Sequence, residues 1–257
     1  MLSAAAMPRG SAMTMSPVDR SAHLNRWRRR PLIEKSLLAL GMLGLAVSLP
    51  PFPAAVMITA GMTAAALIGA RVPVRVWLGC ALAPVGFMLT GAVALVVQFD
   101  GYGFSLSPAG LAAASGLIAR SLAGLSCLLF LALTTPATDL MAGLRRLGVP
   151  AEIVEIALLM YRFIFLVADE AFAMNAAQAA RLGHSTRWLR LHSLGLLLAS
   201  LLPRALDRAR RLETGLAARG WEGEMRVLAD RPALSWPVLA LIVAAEGLTA
   251  VAGIWLP

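Results

Sequence analysis

Apolar residues in this chain gather into blocks about as long as a bilayer is thick, separated by short polar punctuation. Residues 32–49 form the first block, which Pro50, Pro51 and Pro53 end. Residues 54–70 form the second, so the two predict a helical hairpin. A basic link, Arg71-Val72-Pro73-Val74-Arg75, leads to a third block at 76–99, interrupted by Pro84. A Gly/Ser link at 100–108 holds Asp100 and no basic residue, and the fourth block covers 109–133. The fifth, 233–256, carries one carboxylate, Glu246. A crossing helix needs roughly 20 apolar residues, so the pattern predicts five spans.

Between the fourth and fifth blocks the pattern changes. Thr135 is a plausible N-cap, Pro136 fits a first helical turn and Asp139 complements the helix dipole. Gly148-Val149-Pro150 closes that helix and starts another. From there Ile153, Ile156, Ala157, Met160, Phe163 and Val167 recur at helical spacing, with Glu152, Glu155, Arg162, Asp169 and Glu170 on the polar face. This helix runs to Arg181. A second follows Ser185, and its apolar part, 194–202, is too short to span. Pro203 starts a third, which ends at Arg219-Gly220 with Leu206, Ala209, Leu212 and Leu216 as its apolar stripe.

Composition supports a membrane protein: the 257 residues are 59% hydrophobic and 14% charged. The net charge of +9 is explained by loop arginines without invoking nucleic acid. Arg26, Arg28, Arg29, Arg30 and Lys35 precede or open the first block. Arg71 and Arg75 separate the second from the third, and Arg145 and Arg146 follow the fourth. All of these fall on one side, which the positive-inside rule makes the cytoplasm, with the N-terminus inside. Residues 1–30 lack an apolar core followed by a small-residue cleavage site, so they predict a mobile cytosolic tail and not a signal peptide. Cys80 and Cys127 sit in apolar runs and read as small hydrophobes.

Candidate chemistry is sparse. Lys35 is the only lysine and follows Glu34, so no phosphate-binding Walker loop can form. His23, His184 and His192 make no close ligand pairs, and no metal site is predicted. Arg120 lies inside the fourth block. An intramembrane cation is a functional residue by default, or a structural one paired with an acid such as Glu246. Arg204, Arg208 and Arg211 share a helix face with Asp207 and fit a solvated face near anionic head groups. Two helix ends differ in kind: Ala180-Arg181-Leu182 followed by Gly183, and Ala218-Arg219-Gly220. A guanidinium at a helix C-terminus beside a glycine stop can grip a partner carboxylate in two-pronged geometry.

These residues resemble the transmembrane T component of energy-coupling factor (ECF) transporters, in the cobalt/nickel branch called CbiQ. The resemblance covers 31–236. It rests on Leu131-Ala132-Leu133-Thr134-Thr135-Pro136 with Asp139-Leu140, on Leu147-Gly148-Val149-Pro150, on Leu158-Leu159-Met160-Tyr161-Arg162-Phe163, and on the two Ala-Arg motifs. Ala218-Arg219-Gly220 matches the family motif in full. Ala180-Arg181-Leu182 departs from it at Leu182, with Gly183 one residue late.

The resemblance implies an all-α membrane protein with long cytoplasmic coupling helices crossing in an X. Their arginine ends would dock on two ATP-binding-cassette (ABC) ATPase subunits, and a separate membrane substrate-capture (S) subunit would bind the cargo. ATP and Mg would sit on the ATPase partners, with no cofactor on this chain. The resulting organisation is a tail at 1–30, a four-helix region at 31–135, a coupling region at 136–232 and a last helix at 233–257, in a bacterial inner membrane. Cobalt or nickel is the implied cargo. Uptake of a vitamin such as biotin, or a membrane enzyme or assembly factor without an ATPase partner, are the alternatives.

Overall fold

The computed structural model describes residues 17–99, 104–220 and 234–255. Among these, nine helices account for nearly all regular structure: α1 Pro17–Leu24, α2 Leu32–Ser48, α3 Ala54–Ala64, α4 Val74–Val96, α5 Pro108–Thr134, α6 Ala137–Arg146, α7 Ala151–Ala180, α8 Arg187–Ala217 and α9 Trp236–Trp255. A π turn, Ala65–Gly69, extends α3. The chain divides into two compact units. One holds the described residues 141–220; the other holds 17–99, 104–140 and 234–255.

Each of the five apolar blocks becomes a helix, with ends set by local chemistry. Proline precedes the first residue of α2, α3 and α4, where its fixed φ and missing N–H cost the helix nothing. Ser107 caps α5 by accepting the Gly110 N–H at 3.2 Å, with Pro108 in the first turn. The third block is not helical to its end. Val97–Phe99 pairs antiparallel with Phe104–Leu106 as a short hairpin of strands β1 and β2.

Helix α5 is the centre of the larger unit. Ala123, Cys127 and Phe130 are fully buried there against Ala39, Met42 and Ala46 of α2 and Ala55, Ile58 and Met62 of α3. Alanine dominates this core. Lipid tails are as apolar as the protein, so packing between helices must come from close backbone approach, which small residues allow. The outward faces carry Leu82, Phe87, Leu111, Leu241 and Leu248, all more than half exposed, as a lipid-facing surface requires.

Four helices are long and apolar enough to cross a membrane: α4, α5, α8 and α9. The chain is a multi-pass, all-α membrane protein. The helices α2, of 17 residues, and Ala54–Gly69 are shorter. Helix α8 corrects the sequence expectation. Pro203 does not begin a new helix but sits inside α8. An interior proline removes one hydrogen bond and crowds the carbonyl four residues back, yet the flanking turns carry the helix through. Continuity lengthens the apolar stretch to spanning length, though it stays less apolar than α4, α5 and α9.

Two further expectations are revised. Thr135 does not cap α6. It ends α5, its N–H donating to the Leu131 carbonyl at 3.0 Å. The Pro136 carbonyl accepts from Asp139 and Leu140 N–H at 3.0 and 3.2 Å, so the cap falls one residue later. The residue before a proline is driven to extended geometry, and Thr135 is so placed at φ −124°, ψ 116°. Residues 17–30 are also built into the larger unit and do not stand clear as a tail. Ala22 is 1% exposed, Trp27 meets Phe130 edge-on at 5.7 Å, and the Arg26 N–H donates to the Ala70 carbonyl.

Candidate functional site

In the smaller unit α7 and α8 form an antiparallel pair. Ser193 Oγ donates to the Gly183 carbonyl at 3.1 Å near the turn, Ser200 lies against Met174, and Arg204 pairs with Glu170 at 2.7 Å further along. The apolar stripe of α7 is only partly covered by this pairing: Ile153, Ile156, Met160 and Ile164 are each more than half exposed. On α8, Leu206 and Leu212 are exposed as well, so the stripe read from sequence there is a surface.

Both Ala-Arg motifs sit at helix ends, and at both the residue after the arginine is left-handed. At the first, Arg181 is the last residue before the chain turns, and Leu182 takes a left-handed conformation at φ +62°. The Leu182 N–H donates to Ala179 O at 3.0 Å and the Gly183 N–H to Gln178 O at 2.9 Å. This is the paired Schellman closure of a helix. At the second, Gly220 takes φ +73° and its N–H donates to Ala217 O at 3.0 Å. Arg181 follows the last residue of α7 directly, whereas Ala218 stands between the end of α8 and Arg219; in each case the residue after the arginine is left-handed.

The structure therefore shows what becomes of the glycine missing from the first motif. Leucine occupies the left-handed position at a local cost, since the side chain crowds the backbone there. Gly183 serves a different need. A Cβ on it would lie 2.7 Å from Ser193 Oγ and 2.9 Å from Gln178 O; the backbone carbonyl of α7 cannot give way, and Ser193 on α8 closes the remaining space.

Arg181 and Arg219 are exposed, and neither forms an ion pair among the described residues. Arg181 closes α7 near the level of Ser193, which bonds Gly183, and Arg219 follows the far end of α8. At 1.5 Å per residue the stretch from Ser193 to Arg219 places them roughly 35–40 Å apart along the axis. Of the basic face, Arg204 pairs with Glu170, and Arg210 approaches Asp207 at 4.0 Å. Arg208 lies in the seam between α7 and α8 with Phe163 and Leu201.

The other candidates do not join this site. Arg162 is exposed on α7. Arg120 does not meet Glu246. Its Nη2 donates to the Leu49 carbonyl at 2.9 Å, a cation on the C-terminal carbonyl of α2, which suits the helix dipole. Glu246 faces α2 at Gly41, where an added Cβ would overlap its carboxylate. No group of three or more His, Cys, Asp or Glu side chains able to hold a metal occurs among the described residues.

One polar cluster lies outside the sequence expectations. Glu34 and Lys35, adjacent in the first turn of α2, are each 2% exposed. Lys35 Nζ donates to the Thr134 carbonyl at 3.0 Å. Glu34 Oε1 accepts from both the N–H and the Oγ of Ser235 at 2.9 Å. Asn25 Nδ2 donates to the Leu133 and Thr134 carbonyls at 3.3 and 3.1 Å. The available signal was the lone lysine, set beside an acid at the mouth of an apolar run.

Comparison with known proteins agrees with the fold. Residues 24–228 match the family described as CbiQ, cobalt transport protein. The chain is 55% identical over 244 residues to the cobalt transport protein CbiQ of Rhodobacter capsulatus, covering 95% of this chain and all of the relative. It is 29% identical to the protein of the same name in Salmonella typhimurium over 83% of this chain and all of that one. It is also 30% identical, over 74% of its length, to a putative fused cobalt transport protein CbiMQ of Methanocorpusculum labreanum, of which it covers 33%.

Proposed function

The chain belongs to the CbiQ cobalt transport protein family, and from that premise we propose that it is the coupling (T) subunit of an ECF-type importer for cobalt. It transmits ATP-driven motion of two ABC-type ATPase subunits to a membrane subunit that captures the ion. The observation that carries this reading is the repeated helix end. Two exposed guanidiniums, each followed by a left-handed residue and roughly 35–40 Å apart along α8, offer one grip twice, as two copies of one ATPase require. A planar fork matches a carboxylate bidentately. In this reading ATP and Mg belong to the ATPase subunits, and the chain itself supplies no catalytic group.

A membrane capture subunit is supported by the exposed apolar stripe of α7, and by the relative described as a CbiMQ fusion, of which this chain covers only one part. Positive-inside arginines support a cytoplasmic N-terminus and a cytoplasmic α7–α8 pair. Helix α8 then serves as a lever and not a span. Its arginines at 204, 208, 210 and 211 are costly in hydrocarbon.

The test is the pair Arg181→Ala and Arg219→Ala, with Arg208→Ala as control. If docking buries the partner's carboxylate, each loss weakens association by roughly 2–5 kcal/mol. The single variants lose cobalt uptake while the chain still inserts, and the double variant no longer co-purifies with the ATPase. Arg219→Lys restores uptake only in part. Wild-type uptake and co-purification in Arg219→Ala, with both lost in Arg208→Ala, would move the coupling role to the basic face.

A further inference from the structure

The unit formed by 141–220 is inserted between two places in the larger unit's sequence. The chain leaves the larger unit after Leu140, six residues past the end of α5 at Thr134, and among the described residues is back in it at Ser235, just before α9. We propose that Glu34 and Lys35 are positioning residues that hold these two connections, so that movement of the inserted unit is passed to the membrane helices and not lost at the joints. This rests on the coupling function proposed above.

Among the described residues, the side-chain hydrogen bonds of Lys35 and of Glu34 Oε1 run to the ends of α5 and α9. Lys35 Nζ reaches the Thr134 carbonyl, 99 residues along the chain, at 3.0 Å. That carbonyl is among the last of α5, which have no partner within the helix. A cation is favoured there by the helix dipole, and Asn25 Nδ2 shares the same carbonyl at 3.1 Å. Glu34 takes the opposite task. Its Oε1 accepts from the Ser235 N–H and Oγ, 201 residues away. The Ser235 carbonyl in turn accepts the first N–H groups of α9, from Val238 and Leu239 at 3.1 Å each. An anion is thus placed at the positive end of α9. One turn of α2 grips an outgoing helix by its tail and an incoming helix by its head.

Packing does not need these charges. Helices α2 and α5 already meet through Ala39, Met42, Ala123 and Phe130. Burying an ammonium and a carboxylate is costly, and apolar side chains of like volume would fill the space. Hydrogen bonds to backbone atoms add direction: they resist a pull or twist on Thr134 and Ser235 that apolar contact would let slide.

The experiment measures cobalt taken up per ATP hydrolysed by the complete complex, co-purified with its partners and reconstituted in liposomes. The variants are Lys35→Met, Glu34→Gln and, as control, the exposed neighbour Ile33→Ala. Lys35→Met should retain its partners and hydrolyse ATP within twofold of wild type, while uptake per ATP falls at least tenfold. Glu34→Gln keeps an acceptor oxygen and loses the charge, and uptake per ATP should fall about threefold. It is close in shape to the native side chain, should assemble, and decides the matter if Lys35→Met does not accumulate. A merely structural role would lower yield, hydrolysis and uptake together and leave the ratio unchanged, and that result, or a wild-type ratio in Glu34→Gln, would overturn the proposal. A wild-type complex that takes up cobalt without hydrolysing ATP would instead remove the coupling function itself, and this proposal with it.

Discussion

Replacing Leu182 with glycine should tighten the end of α7. Leu182 holds φ +62°, where a side chain costs a non-glycine residue roughly 1–2 kcal/mol. Glycine at that position removes the cost but adds roughly 0.5–1 kcal/mol of unfolded-state entropy. Leu182 is 74% exposed, so little packing is lost. The net gain is about 0.5–1 kcal/mol at the helix end, which converts to a two- to fivefold smaller population of the frayed state. Gly220→Ala is the mirror experiment. Its φ is +73°, and nothing lies within 4 Å of an added Cβ, so the cost is that of the backbone alone. The end of α8 should fray two- to fivefold more. Amide hydrogen exchange reads local opening of this kind. The amides of Leu182 and Gly183, donors to Ala179 and Gln178, should exchange two- to fivefold more slowly in Leu182→Gly. The amide at 220 should exchange faster by a similar factor in Gly220→Ala. Unchanged exchange in both would mean that left-handed closure is not what terminates these helices.

Gly183→Ala should loosen the α7–α8 pair, because the new methyl meets the Gln178 carbonyl, which cannot move aside without unwinding the turn; exchange across 178–193 should rise, and adding Ser193→Ala should recover only part. Gly41→Ala displaces the flexible end of the Glu246 side chain from α2 and should lower thermal stability by no more than about 1 kcal/mol; Glu246→Ala in the same chain should remove that loss, and a larger loss that it leaves in place would put the strain elsewhere. Arg120→Met strips the Leu49 carbonyl of its donor and should cost about 1–3 kcal/mol with transport per folded molecule unchanged; a selective loss of transport would make Arg120 part of the working machinery. Cysteines introduced at 71 and 146 should resist an external, membrane-impermeant label in intact cells and react after lysis; labelling of both from outside would invert the topology.

The apolar helices were legible because hydropathy over a bilayer's thickness is a strong signal, although of the five expected spans only α4, α5 and α9 reach spanning length, and α8 joins them unforeseen. The sequence block 109–133 differs from α5 by one residue at each end. Pro203 misled because propensity is a local prior, whereas α8 is held along its length by α7 through Met174, Glu170 and Phe163. The first Ala-Arg motif was recognisable, but two tasks that one glycine usually performs are split there: Leu182 takes the φ and Gly183 the contact. Helix α1 left no hydropathy signal because it buries small residues, Ser21 and Ala22. The roles of Glu34 and Lys35 were out of reach for a different reason. At the mouth of a span they look like flanking charges, and nothing nearby in the chain names the carbonyl 99 residues away that receives the ammonium.

Because α8 runs unbroken through Pro203, its length also sets an angle. Each residue adds 1.5 Å of travel and about 100° of rotation. Ser193 fixes the helix azimuth against Gly183 near one end, and Arg219 takes whatever bearing the intervening turns dictate. A single-residue deletion would shift that guanidinium by only about 1.5 Å yet swing it about 100° around the axis, away from its original face. Removing seven residues would draw it back about 10 Å and nearly restore its heading. Chain length along this helix is therefore a phased quantity, unlike the free length of a loop: a change that keeps the bearing of Arg219 comes in steps near whole pairs of turns.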